Sequence, residues 1–189
     1  NMKKLSLLLF TFSILFMPLA MAHAGDLNSD KAIIYYNEAC GMCGEYVNNE
    51  LPEMLAGQGI DDLLKKDYVN DRSIRPEMNE HMTKANVPLP LQSHIMTFVG
   101  DKYILGGHIP EHIIEDIFNP EFSEKFKSII VYQDEMHGDV EDYKVWATPY
   151  YADNFLEEVK TYPIDTRVTE YLNYLENNKE DLKISGQTD

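Results

Sequence analysis

Two cysteines and one tryptophan are all that 189 residues contain, and positive charge is scarce: Lys+Arg 16 against Asp+Glu 32, a formal net charge of -16. So few cysteines exclude a disulfide-stapled miniprotein and a four-thiolate zinc site. The shortage of bases excludes a phosphate-backbone binder, because nothing here would release counterions from nucleic acid. After residue 24 no run is long and apolar enough to cross a bilayer. Walker loop, dinucleotide glycine fingerprint and nucleophile elbow are all missing. What is present argues for a folded chain. Hydrophobic residues at 44% and aromatics at 11%, with twelve tyrosines, can offset the entropy of ordering. The length suits one domain with an appendage.

Residues 1–24 read as targeting rather than fold. Lys3 and Lys4 precede an apolar run from Leu5 to Leu19, and Ala22-His23-Ala24 offers small residues at both cleavage-recognition positions. The pattern predicts a secretory signal peptide cut before Gly25, leaving no membrane anchor and an exported product, periplasmic or extracellular. Losing two lysines and no acid takes the net charge from -16 to -18. In an oxidising compartment a cysteine pair is a structural disulfide, a redox centre or a soft metal site.

In the mature chain, Ala32-Ile33-Ile34-Tyr35-Tyr36 reads as a buried strand. Cys40-Gly41-Met42-Cys43 follows, and Val47, Leu51, Met54 and Leu55 then mark a helix face, with Pro52 expected to kink it. Leu63 to Val69 has strand character, and Glu77 to Ala85 should be helical behind Pro76. Asn86 to Pro90 reads as a rigid, extended connector. Ile95–Val99 and Tyr103–Leu105 flank a Gly100-Asp101 turn as a hairpin, and Pro110 opens a helix with Ile113, Ile114 and Ile117 inward. Strand, helix, strand, helix, strand, strand, helix, with a CxxC after the first strand, resembles a thioredoxin-like α/β fold, a central mixed sheet flanked by helices, over 25–120.

Residues 121–189 are a more acidic α+β C-terminal extension, expected to pack on the same domain and to fray over its last ten residues or so. Ser128–Tyr132 and Tyr143–Trp146 read as strands, and Val168, Tyr171, Leu172 and Leu175 form a helical stripe. From residue 111 onward there are 19 acids and 7 bases, two thirds of the mature negative charge. That charge is expected to lie away from the thiols.

The chemistry centres on the cysteines. At a helix start, Cys40 faces unpaired N–H groups that favour its thiolate, making it the attacking sulfur, and Cys43 the resolving thiol. His94 stands where thioredoxin-fold proteins carry a cis-proline beside the CxxC, and an imidazole there serves as base or ligand. Met96 is expected to point the same way and is a candidate thioether ligand, with a core role as the alternative. His108, behind two glycines, either joins the cluster or caps the next helix. Met78, His81 and Met82 read as a helix face, and Met136-His137 as an acidic loop.

Leu91-Gln92-Ser93-His94, and Val99 through Gly106-Gly107-His108-Ile109-Pro110, resemble the CopG-like family of small periplasmic thioredoxin-fold proteins over about residues 32–117. That resemblance implies copper handling, with Cys40, Cys43 and His108 at family motif positions and His94 about where the family has a cysteine. The expected function is therefore thiol–disulfide exchange with a partner protein through Cys40 and Cys43, which needs no cofactor. The alternative is copper binding by the Cys pair with His94, Met96 or His108. A third reading is a noncatalytic interaction module whose acidic tail docks a basic partner.

Overall fold

The computed structural model describes residues 31–135 and 140–182. The expected signal segment 1–24, Met136-His137 and residues 183–189 of the tail lie outside that range. Among the described residues no helix is long and apolar enough to cross a membrane.

A seven-stranded mixed sheet organises the chain, in the order β2-β1-β3-β4-β5-β6-β7. Strand β1 (Lys31–Tyr36) alternates its apolar residues between two cores and pairs parallel with β2 (Asp62–Asp67). Strand β3 (Met96–Val99) runs antiparallel to β1 and turns at Gly100 into β4 (Tyr103–Gly107); both are buried throughout, as central strands covered on both faces must be. Between β1 and β2 the chain is helical from α1 (Gly41–Glu45) through a π-helical turn at Tyr46–Glu50 into α2 (Leu51–Gly57). Pro52 sits in the first turn of α2, where it has no N–H to lose from the helical ladder, and the wider turn ahead of it replaces the expected break. Helix α3 (Arg75–Lys84) covers the opposite face, and α4 (Glu111–Phe118) follows β4.

The extension continues the sheet. After the short helix α5 (Pro120–Ser123), β5 (Phe126–Gln133) pairs parallel with β4; β6 (Asp142–Pro149) and β7 (Lys160–Pro163) complete the sheet antiparallel, before α6 (Glu170–Asn178). Strand β7 and helix α5 are elements the sequence pattern does not announce. The connector predicted as extended tightens into a 3-10 turn at Leu89–Leu91.

Two cores flank the sheet. One holds Ile34, Cys43, Val47, Leu51, Ile113, Ile117, Phe126 and Tyr171; the other holds Tyr35, Met82, Met96, Phe98, Ile130 and Trp146. A buried carboxylate ties the extension down. Asp116 of α4 accepts from Arg167 Nε (2.8 Å) and from the Val168 amide (2.9 Å). On the far face Tyr35 donates to Glu77 (2.7 Å), which also takes the Lys66 ammonium, and His81 Nδ1 lies 2.8 Å from the same hydroxyl. Met82 is buried beside them, so the Met78-His81-Met82 stretch is an amphipathic helix face.

Candidate functional site

Strands β1, β2, β4 and β5 run in one direction, so their carboxyl ends lie at one end of the sheet, where β3 begins. Ligands and chemistry gather at such ends, because loops leaving neighbouring parallel strands converge there. The cysteines follow β1, His108 follows β4, Asp134 follows β5, and His94 leads into β3.

The CxxC is delivered by a local turn. Asn37 accepts the Ala39 amide on its side chain (3.0 Å) and the Cys40 amide on its carbonyl (3.1 Å), which brings the chain round to Cys40 at the N-cap of α1. Cys40 and Cys43 form a disulfide with a Cα separation of 5.3 Å. Cys43 is fully buried against Val47, whereas Cys40 is only partly covered and the intervening Met42 is 49% exposed. Cys40 is the more exposed residue of the pair and Cys43 the sheltered one.

His94 stands beside them. One ligand atom each from Cys40, Cys43 and His94 all lie within 4.8 Å of one another. Its main chain is held by the Tyr68 hydroxyl, which donates to the His94 carbonyl (3.2 Å). No peptide bond among the described residues is cis.

Asp134 was hidden in the sequence as an ordinary acid in a polar loop. Its carboxylate lies 2.8 Å from His94 Nδ1 and accepts from the Ser93 hydroxyl at 2.7 Å. Burial pushes this carboxyl's pKa up, but hydrogen bonds from His94 and Ser93, with the charges of the two imidazoles, outweigh that and hold it below the usual range. An ionised carboxylate only accepts, so Nδ1 is the ring nitrogen that donates to it. A strand placed parallel to β4 must end beside His108, and an acid just past that end was the available signal. The expectation that the acidic extension lies away from the thiols is therefore corrected: β5 carries one of its carboxylates into the cluster.

His108 joins from the other side, its ring 5.5 Å from that of His94 and 4.9 Å from Tyr46. Desolvation, then the neighbouring His94, lowers its pKa, and Asp134 offsets only part of this. The ring is accordingly neutral near pH 7. Tyr46 locks this corner: its hydroxyl donates to the Ile109 carbonyl (3.1 Å) and accepts from the Ile109 amide (2.9 Å). Gly107 makes the approach possible. It sits at φ +87°, and a Cβ there would fall 1.9 Å from the Gln133 carbonyl oxygen, the acceptor of the His108 amide.

Met96 does not share a strand face with His94. His94 lies in the turn before β3 rather than in the strand, so strand alternation does not align the two, and Met96 is buried in the core on the other face, with its sulfur 3.3 Å from the Ser93 amide. His112 also turns elsewhere, with Nε2 2.8 Å from the Ile164 carbonyl.

Beside the disulfide runs an open groove of about 920 Å³ whose lining includes Gly41, Met42 and His108. Among the described residues its charged lining is acidic, namely Glu45, Glu50, Glu53, Glu111 and Glu135. Compared with known proteins, the chain matches no family model, no curated protein and no solved structure.

Proposed function

We propose that this is an exported thiol–disulfide exchange protein of thioredoxin-like architecture, with Cys40 and Cys43 as its working pair. The architecture is supported by the first four strands, whose order β2-β1-β3-β4 and intervening helices follow the strand and helix sequence of that fold. The single observation that carries the function is the disulfide at the carboxyl end of β1, with Cys40 partly exposed, Cys43 buried and His94 beside them.

In the oxidised protein, a thiolate of a dithiol partner attacks Cys40 Sγ. The Cys40–Cys43 bond breaks, its electron pair leaves on Cys43 Sγ, and a mixed disulfide joins the partner to Cys40. The partner's second thiolate then attacks its own sulfur in that bond and releases Cys40. Two electrons reach the Cys pair, the partner leaves as a disulfide, and its two protons end on the new thiols or in solvent. The reverse sequence starts from Cys40 and resolves through Cys43. His94, oriented by Asp134, exchanges the proton of the departing or attacking sulfur.

The experiment is trapping. In the Cys43→Ser variant, a peptide disulfide should accumulate as a stable adduct on Cys40, detected by mass, whereas wild type should release it. An absence of adduct under conditions that modify free glutathione would leave the disulfide as a structural staple.

The convergence of the two sulfurs with His94 favours a second reading, in which the reduced pair holds copper as Cu(I). The donor set fits: two thiolates and an imidazole suit a soft monovalent ion. Chelator competition on reduced protein decides this, with loss of copper in Cys40→Ser expected.

A further inference from the structure

The cluster contains a second donor set that does not need the thiols. We propose that His94, His108 and Asp134 form a binding site for a borderline divalent cation of the zinc class, available while Cys40 and Cys43 are disulfide-bonded. One ligand atom from each of the three lies within 4.8 Å of the others. Two imidazoles and a carboxylate are a ligand set that such an ion accepts at bond lengths of about 2.0–2.2 Å, leaving a fourth position open.

Two independent features point to an occupant. First, three ring nitrogens in this spot, His94 Nε2 and both of His108, are buried with no hydrogen-bond partner among the described residues. Buried polar atoms are normally paired, and an ion here would take one nitrogen from each of the two adjacent rings. Second, the donors are held from outside. Ser93 donates to Asp134, the Tyr68 hydroxyl holds the His94 main chain, and the Tyr46 ring lies against His108. Such supporting contacts are what orient ligands in built metal sites. The three residues also come from three different strands' ends, so the sheet fixes their spacing. The glutamates of the neighbouring groove raise the local concentration of cations rather than anions.

The site shares His94 with thiol exchange but does not need the thiols, so a protein with no thiols tests it. The full-length Cys40→Ser/Cys43→Ser variant and oxidised wild type are titrated with Co²⁺ as a spectroscopic probe, followed by Zn²⁺ competition. Both should take up one equivalent, with visible d–d bands and no thiolate-to-metal charge transfer. His108→Ala and the closer-shaped His108→Gln should each weaken binding at least about 100-fold with unchanged far-UV circular dichroism, and Asp134→Asn about 10-fold or more. Failure of oxidised wild type to bind, leaving the orphan nitrogens to water, would overturn the proposal. So would binding indifferent to both His108 variants. Neither result bears on the Cys43→Ser trapping, which reads exchange alone.

Discussion

Gly107→Ala and Gly44→Ala are the same chemical change with opposite expected signs. At Gly107 the backbone is left-handed, φ +87°, and an added Cβ would lie 1.9 Å from the Gln133 carbonyl oxygen and 2.7 Å from its carbonyl carbon. The conformation alone costs an alanine about 1–2 kcal/mol. Contacts under 3.0 Å are essentially never seen for a Cβ, so β4 and β5 must part by roughly 1 Å. That movement breaks the 2.9 Å bond from the His108 amide to Gln133, and leaving those groups unpaired in the interior costs about 1–3 kcal/mol. Together the loss is about 2–5 kcal/mol, or about 4–20 °C in Tm for a chain of this size. Gly44 lies in α1, and a methyl group added there would meet nothing within 4 Å, so alanine should gain about 0.5–1 kcal/mol through helix propensity. Chemical denaturation of both variants with the disulfide intact is the assay. A Gly107→Ala midpoint equal to wild type would refute the close approach of β4 and β5 on which the placement of His108 and Asp134 depends.

Asp116→Ala should destabilise the protein by about 1–3 kcal/mol, because it strands the buried Val168 amide. Limited proteolysis should then cut first after residue 160, and an unchanged cleavage pattern would argue against this anchor. Exchange with small thiols should depend on their charge. With the acidic groove beside Met42, cationic cysteamine should react roughly 10-fold faster than anionic mercaptoethanesulfonate at low ionic strength, and the ratio should approach their intrinsic ratio at about 1 M salt. Equal salt dependence for both reagents would contradict it. Glu77 supplies a pH test. Hydrogen bonds from Lys66 and then Tyr35 hold its carboxyl below the ordinary value of 4.5. Its contribution is thus complete above that value and is lost as pH falls through the lower folded-state pKa. Glu77→Gln should be less stable than wild type at neutral pH, with the gap closing on acidification; a constant gap would refute the assignment.

Much of the fold was legible because its elements carry their own periodicity. Ala32, Ile34 and Tyr35, the strands flanking the Gly100-Asp101 turn and the Ile113-Ile114-Ile117 stripe are each buried as their spacing says they should be. Strand β7 was not legible, since Lys160-Thr161-Tyr162-Pro163 is an edge strand with two exposed positions and no apolar run. The site was half legible. Cys40, Cys43, His94 and His108 announce themselves by residue type, and the structure brings all four to one end of the sheet. Strand alternation could not align Met96 with His94, because it holds only inside a strand and His94 is outside it. Asp134 stayed hidden because its role depends on which strand β5 joins, a long-range pairing that no local pattern encodes.

The most direct test of thiol–disulfide exchange is a redox equilibrium titration of the Cys40–Cys43 pair against glutathione, read by alkylation and intact mass. A single two-electron transition between about -270 and -120 mV, the span of thioredoxin-type exchange proteins, is the expected result. A pair that stays oxidised below about -300 mV, as structural disulfides do, would contradict it.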